Sequence, residues 1–302
     1  MREHRCQIRW KGTEEGKPAG RGRESSNPTG DLRLREGKVP YLYYPALEES
    51  GLVRHGFSTR LGGVSQGIYS TMNLSFTRGD FAEAVQENYR LMGEALGIPP
   101  ENMVCSQQTH TTNVRLVTAD DKGRGVTGPR GWEDVDGMIT DIPGVALVTF
   151  YADCVPLYFL DPVHRAIGLS HSGWRGTVEK MGKVTVERMQ EAFGSQPDQL
   201  LAAIGPSICQ DCYEVSEDVA EQFQAAFPEK IWDRLMYQKE NGKYQLNLWE
   251  ANLQVLLEAG IPRSGILLPG ICTCCNPQIL FSHRASQGKR GNLAAFLMLK
   301  ES

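Results

Sequence analysis

The segment from Gly144 to Leu160, GVALVTFYADCVPLYFL, constrains the fold more than any other stretch. It is almost continuously apolar and rich in β-branched and aromatic residues, yet it is too short and too interrupted for a bilayer span, which needs about 20 apolar residues. Strands buried on both faces read this way. The one polar interruption, Asp153 and Cys154, stands just before Pro156, which cannot donate to a β-ladder. The chain is therefore expected to break or bulge there and to re-aim those two side chains.

Similar strand-like runs recur as YLYYPAL, VRHGFSTR, MVCSQQTH, NVRLVTAD, RAIGLSH, LLAAIG, GILLPGI, QILFSHR and NLAAFLML. Helices fall between them. One is predicted to start with Asp80 as N-cap, to carry Phe81, Val85, Tyr89, Met92 and Leu96 on one face, and to stop at Gly97. A second, after SGWRG, places Val178, Met181, Thr185, Met189 and Phe193 on one stripe. Two more run from Ser216 to Phe227, ended by Pro228, and from Asn247 to Ala259, ended by Gly260. The alternation predicts an α/β (α+β) fold, a single layered domain with a mixed, largely buried β-sheet flanked by helices.

Charge divides the chain unevenly. Residues 1–38 carry ten Lys/Arg against six Asp/Glu, about +4, so the formal total of −4 leaves about −8 on the remainder. An acidic body is the wrong footprint for a nucleic-acid partner. The segment RWKGTEEGKPAGRGRESSNPTG has almost no apolar surface to offset the entropy of ordering it, so residues 1–38 are expected to be a disordered or loosely attached tail, ahead of one domain over 39–302. MREHRCQIRW lacks the apolar core of a signal peptide. Eight cysteines, with Cys274 and Cys275 adjacent, suit a reducing compartment better than a disulfide framework. These features point to the cytoplasm and to no membrane partner.

Six histidines are present. His4 lies in the tail, His164 in the turn DPVHR, and His55 and His283 inside strand-like segments. His110 and His171 each end an apolar strand, and Cys154 sits at the break described above. A catalytic zinc takes three such ligands, gathered from strand ends, and keeps its fourth position open. Separations of 44 and 17 residues follow no local ligand spacing, and on residue type alone a satisfied core histidine and an inert buried cysteine are the better reading. Among the other cysteines, Cys209 and Cys212 form a C-x-x-C, whereas Cys272, Cys274 and Cys275 read as C-x-C-C, unlike the paired knuckles of a structural zinc site. Inert thiols and a second zinc both stay open there.

Six ordered blocks, HGFSTRLGGVSQGIYSTMNLSF, SQQTHTTNV, DVDGMITDIPGVALVTFYADCVPLYFLDP, AIGLSHSGWRGT, AIGPSICQDCYEV and CTCCNPQILFSHR, carry a resemblance that spans nearly everything from Tyr41 onward. With ADCVP and HSGWRG as its most specific parts, the chain resembles the laccase-domain, YfiH/YlmD-like family, whose members are named for multicopper polyphenol oxidation but resemble purine nucleoside phosphorylases that also deaminate adenosine. The resemblance implies a YfiH-like fold and a zinc site of His110, Cys154 and His171, these three also being the catalytic set together with Asp153. Its implied partners are a purine nucleoside (adenosine, inosine or methylthioadenosine) and phosphate, on a monomer or homodimer. One departure is local: the family's T-G-R pattern near the C-terminus reads Lys289, Arg290, Gly291, Asn292 here, so no role is assigned to Arg290.

Chemistry sorts the implied activities. A multicopper oxidase needs many histidines for its copper centres, and six are too few, so oxidation is left to a single copper in the three-ligand site. Zinc instead activates water against an adenine carbon or orients phosphate against ribose. Phosphorolysis also needs an anion site, for which Arg60 in STRLGG, Arg175 in SGWRG and Arg284 in SHR are candidates, with Asn73 in MNLSF for ribose hydroxyls. Asp153 would face a metal-bound water or orient a ligand histidine. A metal-free Cys/His hydrolase or deamidase and a purine-binding module without turnover are the remaining alternatives.

Overall fold

A computed structural model describes residues 8–11 and 31–301 of the 302-residue chain. Two six-stranded sheets form its centre. The first runs in the order Arg33–Arg35, Tyr41–Tyr43, Val53–Ser58, Leu293–Leu299, Ala146–Tyr151 and Met103–Cys105. The second runs Ile266–Leu267, Leu201–Ile204, Val155–Asp161, Ala166–Ser172, Gly137–Thr140 and Val114–Leu116. Both are mixed, because Met103–Cys105 pairs parallel to Ala146–Tyr151 in one, and the two outer pairings of the other are parallel.

The strand alternation explains how the layers stack. Along Leu293–Leu299, Leu293, Ala295, Leu297 and Leu299 join one core cluster and Ala294, Phe296 and Met298 another. The first cluster also takes Leu147 and Tyr151 from the first sheet and Tyr158, Leu160, Ile167 and Leu169 from the second, so it fills the space between the sheets. The other faces are covered by helices: Ala82–Leu96 on the first sheet, Met181–Phe193 and Leu248–Glu258 on the second. The order of layers is thus α/β/β/α, and both faces of each central strand are buried, which is why these strands read as continuous apolar runs.

This is the mixed, helix-flanked α/β layering that the sequence predicts, with the single sheet resolved into two. The break expected before Pro156 is where the chain leaves one sheet for the other: Ala146–Tyr151 belongs to the first, Val155–Asp161 to the second, and Ala152, Asp153 and Cys154 cross between them. Pro156 itself is paired with His171 inside the second sheet.

Some elements differ from expectation. The helix Ala82–Leu96 ends at Gly97 in a left-handed C-cap, as its sequence indicates, but its N-cap is Phe81, and Asp80 accepts from the Phe81 N–H instead. Phe81 is 80% exposed, so it leaves the apolar stripe. The helix expected after SGWRG is split into Trp174–Val178 and Met181–Phe193, because Lys180 takes a left-handed φ of +64°. QILFSHR is a turn leading into the short helix His283–Ser286 rather than a strand, since Ile279, Leu280 and Phe281 reach the inter-sheet core from a loop.

The described parts of the N-terminal 38 residues pack on the body. Leu32 is fully buried, Arg33–Arg35 pairs antiparallel with Tyr41–Tyr43, and Trp10 bridges Ile271. The edge strand therefore begins before the boundary expected at residue 38, a correction whose cause is the apolar pair Leu32 and Leu34 within a charged stretch. Residues 1–7 and 12–30 of the expected tail lie outside the described residues. Among the described residues, no helix is long and apolar enough to cross a membrane.

Candidate metal centre

The second sheet sets up the centre by register. Val155 faces Ser172 and Pro156 faces His171, so the next step of the same antiparallel ladder sets Cys154 against Gly173. The third ligand comes from the loop after Met103–Cys105, at the edge of the first sheet. One ligand atom each from His110, Cys154 and His171 lies within 4.8 Å of the other two. His171 is buried, Cys154 half-buried and His110 exposed, so the group opens to solvent on the His110 side.

Asp136, at the start of the strand Gly137–Thr140, ties these segments together. Its Oδ1 accepts from His171 Nδ1 at 2.7 Å and from the His110 N–H at 3.1 Å, while Oδ2 accepts from the N–H groups of Thr109 (2.8 Å) and Thr111 (3.1 Å). Its backbone carbonyl accepts from the His171 N–H at 2.8 Å. The first bond occupies His171 Nδ1 and leaves Nε2 for the cluster, an arrangement common to metal-ligating histidines. The others hold His110 in a left-handed φ of +68°, which costs a non-glycine residue on the order of 1 kcal/mol. Burial works against the Asp136 charge, but the bonds from His171 and the backbone outweigh it and hold the carboxyl below its usual range.

Without a metal the centre is an ion pair. Burial pushes the Cys154 thiol up, but the positive charge of His171 and hydrogen bonds from His110 and His171 bring it down to about 6. Burial likewise lowers His171, and the Cys154 thiolate with the Asp136 bond raises it to about 9. A preformed thiolate beside two imidazoles is a borderline-soft donor set suited to zinc or copper. Gly173 lies against all three: a Cβ there would stand 3.1 Å from His110 Cδ2, 3.2 Å from Cys154 Sγ and 3.7 Å from His171 Cε1.

The other residues singled out by sequence fare differently. Asp153, with a φ of +93°, does not join the ligand group: Oδ1 accepts from Thr273 Oγ1 at 2.6 Å and Oδ2 from the Arg284 N–H at 2.7 Å, so it anchors the C-terminal loops beside Cys154. Asn73 is fully buried with all four hydrogen-bonding positions used, by Ser75 O and Asp80 Oδ2 on its amide and by the N–H groups of Ser75 and Asn292 on its oxygen. In this structure these bonds take up the groups expected to meet a ribose hydroxyl. Arg60 donates to the carbonyls of Ser70 and Pro277 and stacks on Phe281, and Arg284 donates to the carbonyls of Cys212 and Glu214. Two of the five guanidinium N–H donors of each arginine are thereby engaged by backbone carbonyls. Arg175 is exposed, lies over the Trp174 ring, and shares the neighbourhood of the Tyr213 phenol with Cys154.

Asp136 escaped the sequence reading, and Arg290 entered it only as part of a departure from the family's T-G-R pattern, without a role. Asp136 left a usable sign, since a carboxylate entering the buried run Gly137–Thr140 must find donors or a cation. Arg290 left only its place in the run Lys289, Arg290, Gly291, Asn292. Its guanidinium is lowered to about 10 by burial and by Arg78, against the opposing pull of Asp153 and Cys154, and its buried Nε has no hydrogen-bond partner.

The family model described as multi-copper polyphenol oxidoreductase laccase matches residues 54–300. The chain is 35% identical over 248 residues to purine nucleoside phosphorylase YlmD of Bacillus subtilis, covering 82% of this chain and 88% of that protein. It is 34% identical over 232 residues to adenosine deaminase RL5 of an unknown prokaryotic organism, covering 76% and 87% respectively. The crystal structure of YlmD from Geobacillus stearothermophilus superposes with a TM-score of 0.84 at 34% identity, over 89% of this chain and 99% of that one. The chain belongs to the multi-copper polyphenol oxidoreductase laccase family, among its YfiH/YlmD-like members.

Proposed function

We propose that this chain is a zinc-dependent purine nucleoside phosphorylase that acts on adenosine, inosine and methylthioadenosine, with deamination of adenosine as a side activity. The observation that carries the reading is the open His110, Cys154, His171 group, whose donors fit one zinc ion, in a chain similar to proteins named for both reactions. Bound there, zinc supplies Lewis acidity toward water or phosphate. The rest falls to the protein. Asp136 fixes the His171 tautomer, and Gly173 keeps the side chain-free face that a substrate needs for approach. Arg290 offers a buried N–H without a hydrogen-bond partner, within reach of the Cys154 charge, and Arg175 offers an exposed guanidinium near Tyr213. The free cysteines among the described residues support a cytoplasmic enzyme.

Oxidation of phenols by copper is less well supported, because among the described residues only two histidines gather at a metal-ligating group. A specific observation favours one other reading: Cys154, His171 and Asp136 are also arranged as a thiolate, imidazolium and carboxylate, which a metal-free cysteine hydrolase would use. Product analysis separates the three. Zinc-loaded protein given adenosine should release adenine and ribose 1-phosphate with phosphate present and inosine without it, and a chelator should stop both. Phenol oxidation with no nucleoside turnover at full metal loading, or nucleoside turnover that survives complete metal removal, would sink the proposal.

A further inference from the structure

Away from the first centre, four sulfur atoms converge. Cys209, Cys212, Cys272 and Cys275 each offer an Sγ within 4.8 Å of the other three. Cys275 Sγ lies 3.9 Å from Cys209 Sγ and 3.5 Å from Cys212 Sγ. A tetrahedron with metal–sulfur bonds of about 2.3 Å has sulfur–sulfur edges of about 3.8 Å, whereas a disulfide needs about 2.05 Å. All four thiols are free of disulfides. Their spacing is also more regular than a C-x-C-C run suggests: Cys209-x-x-Cys212 is matched by Cys272-x-x-Cys275, with Cys274 outside the set. Paired C-x-x-C knuckles are the spacing of closed structural zinc sites.

The surroundings are those of thiolates. Cys272 Sγ accepts from the N–H groups of Cys209 at 3.2 Å and Cys275 at 3.4 Å, and lone sulfur atoms draw two backbone donors best when charged. Lys11 stands beside the group, held by Asp211 Oδ2 at 2.7 Å, with Cys209 and Cys275 within reach of its charge. That cation offsets part of the charge of four thiolates around one divalent ion. Cys209 and Cys272 are buried and Cys212 and Cys275 half-buried, so none of the four is exposed as His110 is in the first centre.

We infer that Cys209, Cys212, Cys272 and Cys275 hold a second, structural zinc ion, independent of whatever reaction the first centre performs. Its place explains what it does. The group joins the segment after Leu201–Ile204 to the loop that follows Ile266–Leu267, and Ser207 and Cys272 bridge between them. Thr273, between two ligands, donates to Asp153, and the Cys212 carbonyl accepts from Arg284. The N-terminal piece docks on the same loop: Lys11 N–H donates to Gly270 O, Asn276 exchanges hydrogen bonds with the Arg9 backbone, and Trp10 bridges Ile271. The ion would therefore lock three chain segments whose contacts reach Asp153, the neighbour of Cys154.

Metal analysis in a background lacking the first site tests this directly. Chain carrying Cys154→Ala, purified without chelator, should retain about one zinc per chain, and wild-type about two. Adding Cys209→Ser and Cys275→Ser should remove the remaining zinc, whereas Cys274→Ser should leave it in place. Because the double serine variant could fail to fold, the second measurement uses Cys154→Ala alone with cobalt in place of zinc. Its visible absorption should show the intense bands of tetrahedral cobalt with sulfur ligands only, and X-ray absorption of the zinc form should give a shell of sulfur alone. Iron in the group, nitrogen or oxygen in the shell, two disulfides, or a metal-free Cys154→Ala chain with four freely alkylated thiols would each overturn the inference.

Discussion

The two clusters of histidine and cysteine side chains in this protein are built on opposite plans. His110, Cys154 and His171 hang from the ends and crossovers of the central strands and leave one side to solvent. The four cysteines sit outside the central strands, two buried and two half-buried, with four ligand atoms already supplied by their own number. A rigid scaffold with a missing ligand suits chemistry, because an ion there can exchange its fourth partner. Loops closed by four ligands suit cross-linking, because the ion supplies order that the loops lack. Ligand count and location thus separate the roles more clearly than residue type, since cysteine serves in both.

Changes that strike one plan and spare the other test this contrast, and the largest effect is expected at Cys154. Cys154→Ala should take nucleoside turnover to background while zinc content falls by about half rather than to zero. Loss of all zinc from that variant would mean that the two groups are not independent.

Asp136→Asn comes next. The amide turns an N–H₂ toward donors that need an acceptor, so His171 and the 109–111 loop lose their anchor. A drop of about 10- to 100-fold in zinc affinity or turnover is expected at the first centre, with the cysteine group unaffected. Competition with a chromophoric chelator would resolve the two populations. Equal weakening of both would show a general loss of structure.

Gly173→Ala is a subtler probe of the open face. Its Cβ would require His110 and Cys154 to give by a few tenths of an ångström, so turnover should fall by about tenfold at nearly unchanged melting temperature. Unaltered kcat and KM would show that the approach to the centre lies elsewhere.

The smallest effect belongs to the closed group's neighbour. Trp10→Ala removes a partly buried ring from the loop that carries Cys272, so stability should fall by about 1–2 kcal/mol. Zinc should leave the cysteine group faster under chelator challenge while KM stays constant. A change in KM without one in zinc release would place Trp10 nearer the first centre than its contacts indicate.

What the sequence disclosed follows from how local each feature is. The helix Ala82–Leu96 was legible because its stripe and its Gly97 stop lie within one segment, and the crossing at Asp153 and Cys154 because a polar pair before a proline disrupts an apolar run. The division into two sheets was not, since strands buried on both faces look alike whichever partner they take. The arginines show the same limit: Arg60 and Arg284 have the residue type and setting of anion ligands, but carbonyls distant in sequence engage part of their guanidinium donors. The paired cysteine knuckles were obscured for the opposite reason. Cys274, the extra thiol, disguised a regular spacing as an irregular one.

The crossing of the chain between the sheets also bears on the order in which the protein assembles. His110 follows the edge strand of the first sheet, His171 ends a strand of the second, and Cys154 lies on the passage between them, so neither sheet formed alone would contain the ligand set. Such non-local closures come late in folding, after the entropy of joining distant segments has been overcome. Capture of metal by His110, Cys154 and His171 during refolding is then a clock for the moment at which the two sheets meet.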